Sequence, residues 1–469
     1  MTAAGRIRRE IRPDETNRRR PPRGMGQIRL TLPLIRRRLA SMPKQHSRSF
    51  RLVCEDRLIP LVEALLHAQG YAFEPEPFSP LCRRLCCEPR PLGASLAAFF
   101  GYIYIQDRSS MLPPLALAPR PGEAVLDVCA SPGSKSGFLA QLTGPTGFVL
   151  ANEPTPARLG TLRANLHQCN LLQAATCSYN GENLPLAPAS WNAIQLDPPC
   201  SGWGTAEKHP RVLKLWQGDK LNSLTGLQQR LLRRAASLLA PGGRLVYSTC
   251  TTNEAENEAQ VRFAEEELGL VRETLPPFPG FVWEERSGGA GTLRVDGEKS
   301  QAQGFYLALL RKTAECGNAD ATAQTASGPR KGREGRDAGR PLPPECLAGP
   351  CCDPALLPPG RAALYGEHVR FIPEQATEML PPDLIWQGAL LGRLTGGRLS
   401  PAPRLRRLLP EPPRPDAALV LDDIADLTAL LSGQSRQTGL AGREAALWWR
   451  DLPLGRVALK QGRAVATFK

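Results

Sequence analysis

At 469 residues the chain is long enough for two to four domains with cores of their own, which excludes a peptide hormone or a disulfide-stapled mini-scaffold. Hydrophobic residues at 42% and charged residues at 22% match soluble globular proteins, and no apolar run approaches the roughly 18 residues of a membrane span. Of the net charge of +14, residues 1–40 supply +9 from 12 Arg against 3 acids, a basic arm suited to polyanions such as RNA, though the excess of 49 Arg over 10 Lys is also what genome composition produces.

Residues 1–24 hold no aromatic, Leu or Val, with Ile7 and Ile11 their main apolar side chains, so a disordered basic arm is predicted over 1–29, with Met25 an alternative start. The arm has no apolar stretch of signal-peptide type, and a cytoplasmic protein with reduced thiols is expected. Thirteen cysteines include no CxxC pair, and the groups Cys82/Cys86/Cys87 and Cys346/Cys351/Cys352 have no histidine at ligand spacing, so no metal is expected. Residues 30–112 read as a small α/β domain. Its segments are a helix at LPLIRRRLA, a strand at SFRLVC (49–54), a helix at LIPLVEALLHAQG (58–70) and a strand in YIYIQD (102–107).

Residues 113–312 repeat a strand, turn, helix rhythm that predicts a doubly wound, Rossmann-like parallel sheet. Strands are expected at 124–129, 147–153, 173–180, 191–200 and 243–250, with GFYLALLRK (304–312) closing the sheet. Leu224, Leu227, Leu231, Ala235 and Leu238 mark a helix stopped by Pro241 and Gly242, and Asn253 with Glu256 resembles a capping box. Residues 313–361 contain 7 Gly and 8 Pro and read as a low-complexity linker. Residues 362–469 regain alternation and aromatics, a compact β-rich module whose last strands carry Arg456, Lys460 and Arg463.

The first strand of the sheet runs into CASPGSKS (129–136), a Pro/Gly turn opening a helix where α/β sheets bind ligands. It is neither a GxGxxG nor a P-loop turn, which disfavours a dinucleotide and a nucleoside triphosphate. Glu153 ends the second strand, where a carboxylate can take both hydroxyls of a ribose; the same residue also serves as a solvated turn acid. Thr155 and Pro156 fit the cap and first position of the next helix. A ribose for Glu153 and a carboxylate for the turn together suit S-adenosylmethionine.

The sharper feature is DPPCSGWGT (197–205) followed by YSTCTTNEAENE (247–258). On adjacent strands, roughly 5 Å apart, Cys200 and Cys250 would open into one cleft with Asp197. A lone cysteine is usually a small buried hydrophobe, and most of the thirteen are read so. For this pair the chemistry of pyrimidine carbon 5 gives another meaning. That carbon becomes nucleophilic only after a thiolate adds at carbon 6, and a second thiol can later remove the carbon 5 proton. Asp197 could hydrogen-bond the amino edge of cytosine and favour it over uracil. Two thiols can also form a disulfide, but neither belongs to a thioredoxin-like motif.

The chain resembles the NOP/Sun family of RNA cytosine-5 methyltransferases, of RsmB/RsmF type and nearest its bacterial RsmF-type ribosomal RNA branch. The resemblance spans about residues 30–312. It rests on YIQDRSSMLPP, VLDVCASPGSKS, ANEPTPARL, LDPPCSGWGT, the Lys208, Pro210, Leu213, Trp216 series, PGGRLVYSTCTTNEAENE and GFYLALLRK. It implies Cys250 as covalent nucleophile, Cys200 as the group assisting release, and Asp197 bordering both donor and cytosine. It further implies a methyl-donor site lined by Cys129, Ala130, Ser131, Pro132, Gly133, Ser134, Lys135, Glu153, Arg158, Asn180 and Asp197, and a PUA-like RNA-binding C-terminal module. Asn180 departs from the family's aspartate, and Val53 stands where the family has asparagine.

The expected activity is therefore methylation of carbon 5 of a cytidine in RNA, ribosomal RNA first and transfer RNA as the alternative, by a monomeric enzyme that does not act at a membrane. The target base must leave its stack to be reached. A non-catalytic RNA platform is the rival from another class, and DNA is a further rival substrate.

Overall fold

A computed structural model describes residues 48–205, 212, 218–284, 291–313 and 339–468. The basic arm, the LPLIRRRLA helix and the Lys208, Pro210, Leu213, Trp216 series lie outside the described residues.

The first strands form a four-stranded antiparallel sheet of β1 (Ser49–Leu52), β2 (Ala72–Glu76), β3 (Ser79–Cys87) and β4 (Ile103–Ile105), in the order β2-β3-β1-β4. Helix Ile59–His67, opened by Pro60, buries Val62, Leu65 and Leu66. Strands β2 and β3 escape the sequence reading for a physical reason. Pro75 and Pro80 lie within them, and Arg83, Arg84 and Glu74 obscure the alternation. Val53, just after β1, is buried and its N–H donates to the Tyr102 carbonyl.

The parallel sheet follows as expected, with the first four strands shorter and the fifth beginning earlier, at Leu239. These are β5 (Ala124–Asp127), β6 (Phe148–Asn152), β7 (Ala174–Cys177), β8 (Trp191–Leu196) and β9 (Leu239–Thr249). The edge is extended by β10 (Leu270–Arg272), β11 (Thr292–Val295) and β12 (Phe305–Lys312). The order β12-β9-β8-β5-β6-β7 has β5 to β9 parallel and β12 antiparallel to β9. Strand β6 is buried along its whole length, as a strand covered on both faces must be. Helix Asp219–Leu238 turns Leu224, Leu231, Leu232, Ala235 and Leu238 onto the sheet. It ends before Pro241 and Gly242, which lie inside β9 and do not stop the helix.

The expected linker 313–361 needs correction over its described part. Residues 339–361 are folded. They hold β13 (Arg340–Pro341), two 3-10 turns and the start of β14 (Gly360–Tyr365), and bury Leu342, Leu347 and Cys352. Strands β13, β14, β15 (His368–Pro373), β17 (Leu390–Thr395) and β18 (Arg398–Pro401) make one five-stranded sheet, while the short β16 (Trp386–Gln387) pairs with β7 at the edge of the parallel sheet. A second five-stranded sheet has the order β19-β21-β22-β23-β20, from β19 (Ala418–Leu421), β20 (Arg436–Gln437), β21 (Glu444–Trp449), β22 (Leu452–Lys460) and β23 (Arg463–Val465). Arg456 does not project freely from it, for its guanidinium is 2.7 Å from Glu444 and donates to the Pro401 carbonyl at 2.6 Å.

This second sheet does not have a core to itself. Trp449, Leu452 and Leu454 share one hydrophobic cluster with Phe50, Phe100 and Tyr102 of the N-terminal sheet region. No helix among the described residues is long and apolar enough to cross a membrane.

Candidate active site

Strands β8 and β9 are parallel neighbours, so the turns leaving their carboxyl ends meet. The first carries Asp197 and Cys200, the second Cys250. Their sulfurs lie 3.0 Å apart, within hydrogen-bond distance, and both residues are half-buried. Backbone ties hold the two turns together: the Gly204 N–H donates to the Cys250 carbonyl at 3.0 Å, and the Gly304 N–H to the Gly204 carbonyl at 3.1 Å. A Cβ at Gly204 would come within 2.1 Å of the Gly304 carbonyl oxygen, so only glycine permits this approach.

Beside the sulfurs, Lys135 Nζ donates to Asp197 Oδ2 at 2.7 Å, and Ser248 Oγ to Asp197 Oδ1 at 2.9 Å. Both carboxylate oxygens are thereby fixed. Burial pulls the Lys135 ammonium down, but the charge and hydrogen bond of Asp197 outweigh it and the net shift is upward. The hydrogen bond from Cys200 lowers the Cys250 thiol below its ordinary value, with help from Lys135 and against burial and Asp197. The same bond, and then burial, raise Cys200 well above its ordinary value. The pair thus has one sulfur suited to be the anion and one suited to keep its proton.

A buried carboxylate holds the Cys200 turn in place. Glu256 accepts from the Ser201 N–H at 2.8 Å, Ser201 Oγ at 2.5 Å, Gln228 Nε2 at 3.0 Å and Asn253 Nδ2 at 3.2 Å. The expected capping box is therefore only half present. Asn253 caps by accepting from the Ala255 N–H, but Glu256 turns away from the helix and toward the cysteine loop.

The turn Cys129–Gly133 leads from β5 into helix Ser134–Thr143, with Gly133 at φ 103°. A Cβ at that glycine would press against Leu162 at 3.0 Å. The next helix, Pro156–Gln168, fixes the turn from outside. Ser131 Oγ donates to the Arg158 carbonyl at 3.1 Å, Arg158 Nη2 to the Ser131 carbonyl at 3.2 Å, and Asn165 Nδ2 to the Pro132 carbonyl at 2.7 Å. Ala130, Gly133 and Ser134 are buried, Ser131 is half-buried and Pro132 is exposed. Glu153 is 1% exposed, accepts from the Thr155 N–H at 2.8 Å and stands 3.5 Å from Arg158. Thr155 is the N-cap with Pro156 after it, yet its side chain makes no cap bond. The Cys129 thiol is pushed well up by burial and then by Asp127, Asp197 and Glu153. Asn180 is exposed at the start of a 3-10 turn.

Residues 114–311 match the family model described as 16S rRNA methyltransferase RsmB/F. Over those residues this chain is similar to that family. Ribosomal RNA small subunit methyltransferase F of Escherichia coli O17:K52:H18 (strain UMN026) is 39% identical over 235 residues, 48% of this chain and 47% of that protein. The protein of the same description from Shewanella amazonensis is 37% identical over 266 residues, 54% and 55% of the two chains. The chain thus spans about half the length of the curated relatives it matches. Among solved structures, PH0851 superposes with a TM-score of 0.53 at 26% identity, covering 60% of this chain and 62% of that one. NSun6 from Pyrococcus horikoshii with SFG gives 0.50 at 19%, covering 57% and 91%, a likeness of fold.

Over residues 114–311 the groups that hold the site from behind carry no sequence signal for that role. Asp127, 1% exposed, accepts from Ser136 Oγ at 2.6 Å and Gln195 Nε2 at 3.2 Å. Burial is the main cause that raises its carboxyl to about 6. Ser201 and Ser248 lie inside the two cysteine motifs and Gln228 on helix Asp219–Leu238 outside them; Ser248 donates to Asp197, and Ser201 and Gln228 to Glu256, pairings set by the fold and not by spacing.

Proposed function

We propose that the chain transfers a methyl group from S-adenosylmethionine to carbon 5 of a cytidine in RNA, ribosomal RNA first, through a bond between Cys250 Sγ and carbon 6 of the ring. The observation that carries this reading is the pair of sulfurs 3.0 Å apart at the ends of neighbouring parallel strands, with the Lys135–Asp197–Ser248 set beside them. The relatives named as small subunit methyltransferases support ribosomal RNA over transfer RNA.

The donor set fits S-adenosylmethionine. The buried Glu153 carboxylate suits ribose hydroxyls, the amides opening helix Ser134–Thr143 suit a carboxylate, and the Gly133 backbone leaves no room for a side chain. Cys129, Ala130, Ser131, Pro132, Lys135, Arg158 and Asn180 complete the wall. When bound, the cofactor supplies an electrophilic methyl.

Cys250, favoured as thiolate by the Cys200 S–H and Lys135, adds at carbon 6, and the ring's electron pair moves to carbon 5. Asp197, fixed by Lys135 and Ser248, receives the amino edge of cytosine. Once the Cys250 sulfur is bonded to carbon, the hydrogen bond that kept Cys200 protonated is lost, which frees that thiol to ionise. Cys200 then takes the proton from carbon 5, the carbon 6–sulfur bond breaks, and Cys250 leaves as thiolate. The two C-terminal sheets, read as a PUA-like RNA-binding module, and the N-terminal sheet would present the RNA.

Incubating the chain with labelled methyl donor and bulk RNA should transfer label to cytosine; a non-catalytic platform would transfer none. Cys200→Ala should accumulate a covalent protein–RNA adduct, and Cys250→Ala should form none. Identical behaviour of the two variants would overturn this division of roles.

A further inference from the structure

Away from the cysteines, helix Pro156–Gln168, strand β7 and the C-terminal strands β15 and β17 enclose a cavity of about 240 Å³. None of its lining residues is acidic, yet Arg163, His167 and Arg370 all line it. Arg163 and His167 stand four apart on one helix and share a face. Arg163 Nε donates to Thr176 Oγ1 at 2.9 Å, and Arg370 Nη1 to the Gly388 carbonyl at 3.1 Å. Neither guanidinium pairs with a carboxylate among the described residues. Burial, and then Arg370, lower the Arg163 guanidinium; burial, and then Arg404 and Arg370, lower His167. Two guanidinium charges thus share a half-buried space whose described lining holds no carboxylate.

The chemistry of the lining selects the anion. Two planar guanidinium forks, an imidazole and a hydroxyl offer more donors than the two oxygens of a carboxylate can accept, and suit a phosphate. The rest of the wall is apolar, from Leu166, Leu171 and Leu390, which suits the sugar or base side of a nucleotide. We propose that this cavity binds one backbone phosphate of the RNA, gripped by Arg163 and Arg370 between the methyltransferase sheet and the C-terminal strands. The choice of RNA rests on the function proposed above; the preference for a phosphate does not.

The test is binding of a short labelled RNA to the full chain across a salt series, without methyl donor, so that failure of catalysis and failure of this site read separately. The double variant Arg163→Gln/Arg370→Gln should bind about tenfold more weakly, and the slope of log affinity on log salt should fall by about 0.7, the loss of one single-strand phosphate contact. Arg163→Lys/Arg370→Lys should keep the slope. Inorganic phosphate at matched ionic strength should raise the melting temperature of the wild type and not of the glutamine variant. Protection by inorganic phosphate with unchanged RNA affinity would overturn RNA as the source, and equal weakening by both double variants would overturn phosphate binding itself. If the glutamine variant does not fold, RNA should protect Arg163 and Arg370 of the wild type from a guanidine-modifying dicarbonyl, and absence of protection would overturn the site.

Discussion

Individual ionisable groups give the most direct predictions. Because the hydrogen bond with Cys200 lowers the Cys250 thiol, alkylation of Cys250 should rise with pH to a half-point below the ordinary thiol value of 9.0. Cys200→Ala removes that bond, so that half-point should move upward, and Lys135→Met should move it the same way; mass spectrometry of the alkylated peptide reads both. An unmoved profile in both variants would mean the two groups do not act on Cys250. Asp127 makes a prediction of opposite kind, about stability. Its folded carboxyl is raised from 3.8 to about 6, so the folded state favours the protonated form. The stabilisation is complete below 3.8 and is lost as pH rises to about 6, by about 3 kcal/mol for a shift of this size. Asp127→Asn cannot ionise, so its stability relative to wild type should rise across that window in parallel denaturation curves. A constant difference would assign the raised carboxyl no role. The sequence displayed the two thiols plainly, since each sits in a motif, but not Asp127, whose burial and partners depend on side chains 9 and 68 positions away.

Among the elements, the parallel strands were legible because burial on both faces gives continuous apolar runs such as FVLAN, whereas β2 and β3 were not, being broken by Pro75 and Pro80. The turns after β8 and β9 were legible as motifs, while the group that locks them together was misread. Glu256 stands at cap spacing from Asn253, and spacing along a chain cannot reveal that its carboxylate faces Ser201 on another turn. This makes Glu256 a positioning residue. Glu256→Gln turns an amide donor toward the donors of Ser201, Gln228 and Asn253, at a cost of about 2 kcal/mol. The Ser201 amide should then exchange hydrogen faster, and Cys200 should be displaced from the Cys250 sulfur. In the presence of methyl donor the variant should accumulate covalent RNA adduct, as Cys200→Ala does but less. Faster exchange without adduct would confine Glu256 to stability.

At the scale of the whole molecule, the sequence suggested modules joined by a linker, and the described structure instead joins the N-terminal sheet region to the C-terminal sheet through one core. That could not be read locally, because the apolar residues concerned are separated by more than 300 positions, as Tyr102 and Pro453 are, whose hydroxyl and carbonyl bond directly. Arg406 is the polar centre of this junction. It is 5% exposed, lies 4.0 Å over the Tyr102 ring, and donates to the carbonyls of Phe100 at 2.5 Å and Gly101 at 2.9 Å, with longer contacts to Val53, Gln168 and Cys169. A planar fork can serve several carbonyls at once, which a single ammonium cannot. Arg406→Met would leave buried acceptors unpaired and should lower stability by about 3 kcal/mol, and Arg406→Lys should recover less than half of it. Because the core is shared, amides of β1 and of β22 should lose hydrogen-exchange protection together in either variant. If β22 opened while β1 stayed protected, the two sheets would be independent domains, and the shared cluster would be an interface between them and not one core.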